Sequence, residues 1–267
     1  MAPYIQVFKI FYQVKGLITL LLLLNLQFSA PCNAAYSDTT IQLGIRFHIV
    51  SGLPMQKKDV ALHSWIQASD IENTVMPEVN RIWQETNITF TLEKIVLTQA
   101  LNPANKPILI DYIVNAHRDS AGKSDPKRIK KLTKLIDPTH HSDSHINVYL
   151  VPYLGETSQG NANRKKLRIF VGLWSDKSSK AQRAPEPVEL TEGLNFRKGS
   201  LSRTIAHEIG HVLGLKHPDK SNQTQYGLLM GGKLPGFSLT AKEIEIAREN
   251  ANTLEKQAQT LDPVQAK

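Results

Sequence analysis

Cysteine is almost absent from this chain, and the shortage limits how the fold can be stabilised. Cys32 is the only cysteine among 267 residues, so no internal disulfide can form. A lipid anchor on Cys32 is not expected, because the preceding Ser29-Ala30-Pro31 lacks the usual aliphatic residue. An exported protein without disulfides depends on its core and on bound metal for stability. This composition is more typical of a bacterial envelope or secreted protein than of a disulfide-rich animal protein.

The chain also lacks a hydrophobic run long enough for a transmembrane helix. Its most apolar stretch, residues 16–28, is shorter than the roughly 20 residues that a spanning helix needs. This stretch follows a basic segment without acidic residues and precedes a small-residue sequence that ends at Ala34, which is the pattern of a signal peptide. We predict that residues 1–34 direct export to the cell envelope or the exterior and are then removed; an uncleaved anchor is the alternative. The remaining residues, 35–267, are enough for one domain with one core.

Acidic residues are outnumbered by basic ones, and the excess is partly local. The chain has 32 lysines and arginines against 24 aspartates and glutamates, and six of the basic residues lie within residues 123–134. One interpretation is an envelope protein that binds an anionic polymer through this segment. The other is a solvated helix face, with Ser124 as its cap and Pro126 in its first turn. We favour the second and expect no nucleic-acid partner, because no aromatic residues are interleaved for base stacking.

A cluster of histidines marks the C-terminal third of the chain. Residues 207–217 have the pattern H-E-x-x-H-x-x-G-x-x-H. Histidines four positions apart lie on one face of a helix, so His207 and His211 can bind one metal ion. Gly214 can adopt the left-handed conformation that ends a helix, which allows His217 to return as a third nitrogen ligand. Three protein ligands leave one position of a tetrahedral zinc ion open, as in catalytic zinc sites.

The residues around these histidines predict an amphipathic helix that lines a cleft. Four aliphatic residues at helical spacing form the face that should pack against the core: Leu201, Ile205, Ile209 and Val212. The opposite face carries the histidines among small residues, which leave room for an ion and a substrate. Glu208 follows the first histidine and is placed to hydrogen-bond a metal-bound water.

At these residues the chain resembles the metzincin metallopeptidases, whose signature is the same extended motif followed by a methionine turn. The matching turn is residues 227–232, with Met230 in the place of the family's methionine, expected to pack beneath the metal and not to bind it. Leu239 begins a segment that looks like the matrixin-type C-terminal helix. The resemblance in sequence covers residues 200–250. Before residue 200, only the order of the predicted helices and strands is similar to the family. No tyrosine stands two residues after Met230, and no cysteine-switch segment is found, so neither a tyrosine ligand nor thiolate latency is expected.

The resemblance implies a zinc-dependent endopeptidase with one catalytic zinc ion on His207, His211 and His217. Glu208 is then the general base that takes a proton from the metal-activated water and passes it to the leaving amine. An edge strand near residues 153–162 is implied as the place where an extended protein or peptide substrate adds as an antiparallel strand. The alternatives are a catalytically silent binding protein of the same fold, although Glu208 is intact, and an aminopeptidase.

A second group of metal-binding residue types precedes the third predicted strand. His140, His141 and His145 lie near Asp143, and matrixin-like folds can hold a structural zinc ion in a nearby loop. A turn rich in histidine and aspartate is more often ordinary polar surface. The sequence therefore leaves a second zinc ion or a calcium ion as an alternative without supporting either.

The order of predicted elements favours an α+β fold. Hydrophobic patterns predict strands at residues 41–50, 88–97, 146–154 and 167–174. A capping box at Ser69–Glu72 predicts the start of a helix that runs to about Thr86, with Pro77 kinking it or splitting off its first turn. The last helix is predicted from Thr240 to about Gln259.

Two stretches lie outside this pattern. Residues 100–143 are predicted to be an insertion, with helices near residues 108–117 and 126–136, and the polar residues 175–199 are predicted to be a surface loop. With the resemblance, the whole pattern predicts a metzincin-like domain. It would consist of a twisted, mostly parallel sheet with an antiparallel edge strand, a zinc-binding helix and a C-terminal helix.

Overall fold

A five-stranded β-sheet forms the centre of the fold. The computed structural model describes residues 39–53, 55–57, 59–100, 132–154, 159–175, 185–191, 199–218, 227–231 and 236–261. The chain divides into two compact units, residues 1–39 and 40–267, and every described helix and strand lies in the second. The predicted signal peptide, residues 1–34, lies outside the described residues.

The sheet combines parallel strands with one antiparallel edge. The described strands are β1 (Ile41–Ser51), β2 (Met55–Lys57), β3 (Val60–Leu62), β4 (Ile88–Gln99), β5 (Ile146–Val151), β6 (Gly160–Asn163), β7 (Arg168–Gly172), β8 (Trp174–Ser175) and β9 (Glu186–Pro187). The sheet has the order β4-β1-β5-β7-β6. The β1–β4, β1–β5 and β5–β7 pairs are parallel, and β6 runs antiparallel to β7. A mostly parallel sheet with an antiparallel edge strand is thereby confirmed.

One face of the sheet packs against three helices. These are α1 (Met76–Trp83), α2 (Leu201–Val212) and α3 (Ala241–Leu261). The buried cluster on this side joins strand and helix residues, among them Phe47, Val148, Ile169, Val79, Ile205 and Ala251. The helices and the sheet therefore form one α+β core.

The other face of the sheet is also covered. Tyr149, Val151 and Phe170 share a second buried cluster with Leu132 and Leu135. All six residues of β5 are consequently buried, as expected for a parallel strand covered on both faces. Residues 132–135 are helical, which agrees with the end of the helix predicted at residues 126–136; its earlier part and the helix predicted at 108–117 lie outside the described residues.

The segment before α1 differs from the prediction at its start and agrees with it at Pro77. The helix begins at Ala68, and the Asp70 carboxylate accepts a hydrogen bond from the Gln67 backbone N–H (2.9 Å), so the capping box predicted at Ser69 is wrong. Residues Ile71–Val75 form a π-helical turn, and Pro77 lies in the first turn of α1. Because proline has no N–H to donate, it is tolerated where one helical segment gives way to the next.

Two predicted boundaries change because the chain leaves the central sheet early. The strand predicted at residues 146–154 ends at Val151, before Pro152, which has no N–H for the ladder. The strand predicted at residues 167–174 is interrupted at Leu173, after which β8 pairs with β9. The stretch 175–199 is therefore not a surface loop throughout. Val188, next to β9, is buried and donates its N–H to the Leu173 carbonyl (2.9 Å).

None of the helices in the described ranges is both long and apolar enough to span a membrane.

Candidate metal centre

The helix that carries the first two histidines is defined by its cap and its buried face. The Ser200 hydroxyl accepts a hydrogen bond from the Arg203 backbone N–H (3.1 Å) and thereby caps the N-terminus of α2. The predicted aliphatic face is fully buried: Leu201, Ile205, Ile209 and Val212. The amphipathic helix is therefore confirmed, and its histidine face is directed away from the core stripe.

The helix ends in the left-handed turn that the motif predicts. Gly214 has a φ of +87°, and its N–H bonds the His211 carbonyl (3.1 Å) while the Leu215 N–H bonds the Gly210 carbonyl (2.8 Å). These two bonds form a Schellman motif, which reverses the chain after the helix. A Cβ at position 214 would be strained by the backbone conformation and would lie 2.8 Å from the Asn250 amide nitrogen.

Three imidazole nitrogens converge beyond this turn. His217 Nε2 lies 3.0 Å from His207 Nε2 and 3.1 Å from His211 Nε2. Three ligand atoms at Zn–N distances of about 2.0–2.1 Å in a tetrahedral arrangement lie roughly 3.3 Å from one another. The structure therefore brings the three predicted ligands together at nearly the separation that a shared zinc ion requires.

Backbone carbonyls orient two of these rings. His207 Nδ1 donates to the Leu229 carbonyl (2.7 Å), and His211 Nδ1 donates to the Leu215 carbonyl (2.9 Å). Because a carbonyl only accepts, each Nδ1 must carry the proton, and each Nε2 presents its lone pair to the common point. Burial lowers the pKa of His207 to about 4 and also lowers the pKa of His217, so both favour the neutral form that binds metal. The donor set fits zinc in residue type and spacing, and His207 and His211 also have the tautomer that zinc requires.

The turn around Met230 lies directly beneath α2. Met230 is fully buried, and a Cβ added to Gly210 would come within 3 Å of its sulfur. The turn is held by the Leu229 N–H to the Ser238 carbonyl (2.8 Å) and by the Ser238 N–H to the Gly227 carbonyl (2.9 Å). Met230 thus packs against α2, as predicted.

The carboxylate of Glu208 is buried against the edge strand. Glu208 is 6% exposed, and burial raises the pKa of its carboxyl to about 8. A Cβ added to Gly160, the first residue of β6, would come within 3 Å of a Glu208 carboxylate oxygen. Glycine at this position therefore allows the edge strand to lie directly against the carboxylate. A carboxyl group whose pKa is raised by burial can exchange protons near neutral pH.

The histidines before β5 do not converge in the same way. The His145 Nδ1 bonds the hydroxyls of Ser142 (2.8 Å) and Ser144 (2.9 Å), and His141 Nδ1 bonds the Tyr149 hydroxyl (3.1 Å). Asp143 reaches His141 Nε2 only at 3.7 Å. Within the described residues, the group formed by positions 207, 211 and 217 is the one cluster that could hold an ion, so a second zinc site gains no support.

Sequence reasoning missed three features of the site. Arg203 lies one turn before His207 on the same helix face. This four-residue spacing could have identified Arg203 from the sequence. The Leu229 and Leu215 carbonyls left no signal, because every residue has a carbonyl. The contact of Gly160 with Glu208 depends on where β6 lies in the sheet, so it left no signal in the sequence.

Comparison with known proteins adds little to this geometry. No family model and no curated protein sequence matches the chain. Among solved structures, a zinc-dependent peptidase from Methanocorpusculum labreanum (strain Z) is similar, at 15% sequence identity and a TM-score of 0.34, over 78% of this chain and 100% of its own length. A similarity of this degree defines neither a family nor a fold for the chain.

Proposed function

We propose that this protein is a zinc-dependent metalloendopeptidase of the metzincin type. The observation that carries the proposal is the convergence of three imidazole Nε2 atoms, together with a buried glutamate that directly follows His207 in the sequence. In this motif the three histidines, His207, His211 and His217, are the ligands of one zinc ion. The predicted methionine turn and the C-terminal helix α3 complete the resemblance to matrixins.

The chemistry divides between the ion and the chain. His207, His211 and His217 would hold the zinc ion, which would supply a bound water with a pKa lowered toward 7 and a Lewis acid for the substrate carbonyl. Glu208 accepts the proton of the attacking water on its carboxylate and then delivers that proton to the nitrogen of the leaving amine. Burial alone raises the pKa of Glu208 to about 8, and a zinc cation nearby would lower it, so that the carboxyl could take a proton and return it near neutral pH.

The edge strand supports a polypeptide substrate. β6 has one neighbour in the described sheet, β7, and begins at Gly160 beside Glu208. An extended peptide that pairs with the outer edge of β6 as an antiparallel strand would place a backbone carbonyl near the metal centre. Main-chain pairing of this kind favours extended protein or peptide segments as substrates.

Export is part of the proposal. The basic segment, the apolar run and the small residues up to Ala34 form a signal peptide, so the enzyme would act in the cell envelope or outside the cell.

A cleavage screen tests the proposal most directly. Purified protein is incubated with a peptide library, with and without a zinc chelator, and products are identified by mass spectrometry. We expect cleavage at internal peptide bonds that the chelator abolishes and added zinc restores. Cleavage confined to the N-terminal residue of each peptide would instead indicate an aminopeptidase.

The Glu208→Gln variant tests the role of the carboxylate. We expect kcat to fall by about 10²–10⁴-fold while zinc stays bound, because the amide cannot take a proton. Glu249→Gln, a change of an exposed glutamate on α3, is the matched control and should cleave like the wild type. Peptide cleavage at the wild-type rate by zinc-loaded Glu208→Gln would contradict the assignment.

A further inference from the structure

Arg203 connects the zinc-binding helix to the turn beneath it. Its side chain donates from Nε to the Gly236 carbonyl (3.0 Å) and from Nη2 to the Leu229 carbonyl (3.1 Å). Arg203 lies on α2 one turn before His207, so both side chains extend from the same part of the helix. Nη2 also approaches the Leu228 carbonyl (3.5 Å), so the guanidinium bridges the neighbouring carbonyls of Leu228 and Leu229 and that of Gly236.

The Leu229 carbonyl is shared between Arg203 and His207. It accepts the His207 Nδ1–H at 2.7 Å and the Arg203 Nη2–H at 3.1 Å. Two donors from one helix therefore hold a single oxygen from a turn more than twenty residues away. The position of that oxygen sets the direction of the Nδ1–H, and through the rigid ring it also sets the direction of the Nε2 lone pair.

The charge of the guanidinium suits this place. The oxygens of Leu229 and Gly236 both point toward α2, and an arginine fork can donate to both at once in a fixed geometry. A lysine in the same place has one compact ammonium on a flexible stem and holds two acceptors less firmly. A neutral side chain would leave the two carbonyls near each other without a cation between them.

We propose that Arg203 is a positioning residue of the metal centre: it holds the Leu229 carbonyl where it orients His207 for metal binding. The inference rests on the proposed function, because it takes His207 to be a zinc ligand. It adds a residue that the histidine motif does not contain. Partners that orient metal-binding histidines typically change metal affinity or activity by about 10–100-fold when they are lost.

Arg81 provides a matched control on another helix. Its guanidinium lies over the ring of Phe237, 5.1 Å from the centroid, so it touches the same segment as Arg203 does at Gly236. Its charge is paired with Glu78 (2.7 Å), and its side chain is exposed. Arg81→Gln therefore removes an arginine next to this segment without removing a donor to the Leu229 carbonyl.

The test measures zinc affinity and the geometry of the bound ion. Zinc affinity of the full chain is obtained by competition with a chromophoric chelator for the wild type, Arg203→Gln, Arg203→Lys and Arg81→Gln. The visible absorption of the cobalt-substituted proteins reports the ligand geometry, and urea unfolding of the zinc-free proteins reports stability. We expect Arg203→Gln to weaken zinc binding by about 10–100-fold and to shift the cobalt bands, with Arg203→Lys intermediate and Arg81→Gln unchanged.

The outcomes separate this inference from the proposed function. Zinc affinity of Arg203→Gln within about twofold of the wild type, with unchanged cobalt bands, would overturn the role of Arg203 alone. Should Arg203→Gln fail to fold, Arg203→Lys decides, because wild-type affinity and bands in that variant would also overturn it. Zinc binding that survives His217→Ala would overturn the proposed function and this inference together.

Discussion

The described part of the chain contains two groups of histidines, and the ring nitrogens converge on one point in only one of them. On α2 and the turn after it, backbone carbonyls take the Nδ1 protons of His207 and His211, and three Nε2 atoms converge. Before β5, the ring nitrogens of His141 and His145 bond side-chain hydroxyls. Residue type and sequence proximity are alike in the two groups, so the partners of the ring nitrogens make the difference.

His48 sharpens the same contrast. It is fully buried in the sheet, and its Nδ1 bonds the Thr98 hydroxyl (3.2 Å) while its Nε2 bonds the Asn147 side-chain oxygen (3.2 Å). Burial lowers its pKa to about 4, as it does for His207. A lowered pKa is thus common to His48 and His207, and what separates the two is that His207 Nε2 converges with two other imidazole nitrogens.

The largest expected difference between the two groups is in metal binding. His217→Ala removes one of three converging nitrogens and should weaken zinc binding by at least about 100-fold. His145→Ala removes a ring that bonds two serine hydroxyls and should leave zinc affinity unchanged. Zinc content after dialysis, measured by mass spectrometry on both variants, checks the prediction. Equal loss of zinc from both would contradict the contrast.

The next effect concerns pH and the buried His48. Its pKa in the folded state, about 4, is below the 6.5 of the unfolded state, so the unfolded chain takes up the proton first as the pH falls. The stability that the folded protein gains by keeping His48 neutral is fully present above about pH 6.5 and is lost as the pH falls toward 4. We expect this group to lower the free energy of unfolding by roughly 2 kcal/mol between about pH 7 and about pH 4.5.

His48→Gln is the variant that isolates the contribution of His48 to the pH dependence of the free energy of unfolding. Urea unfolding of the zinc-free protein at both pH values should show a smaller loss of stability in the variant than in the wild type. Comparison of zinc-free proteins keeps the release of metal on acidification out of the measurement. The same pH dependence in both proteins would show that the buried ring does not titrate as described.

The smallest expected effect is on the edge strand. Gly160→Ala adds a Cβ within 3 Å of the Glu208 carboxylate, which must move, so kcat should fall by about tenfold with zinc affinity unchanged. Gly199→Ala is the matched control, because its Cβ would meet neighbours at 3.7 Å, an ordinary contact distance. Steady-state peptide cleavage by both variants checks the prediction, and equal kcat values would show that Gly160 does not constrain the carboxylate.

Much of the fold was predictable where the signal is local. The hydrophobic patterns located β1, β4 and β5, and the periodicity of α2 identified its buried face. Errors arose where hydrogen bonds overrode the local pattern. Asp70 caps a helix that starts before Ser69, and the chain beyond Leu173 leaves the central sheet to pair as β8 with β9. Such choices depend on partners that are distant in sequence.

The sequence by itself determined which three histidines converge, because helical spacing and a left-handed glycine are local properties that act within ten residues of each other. Only the tertiary structure decided what orients and flanks them: the Leu229 carbonyl with Arg203, and Gly160 against Glu208. The reason is that every residue carries a carbonyl, and a glycine in the sequence does not reveal which side chain it will contact. Which of them meets the site depends on how the sheet and the turn beneath α2 pack.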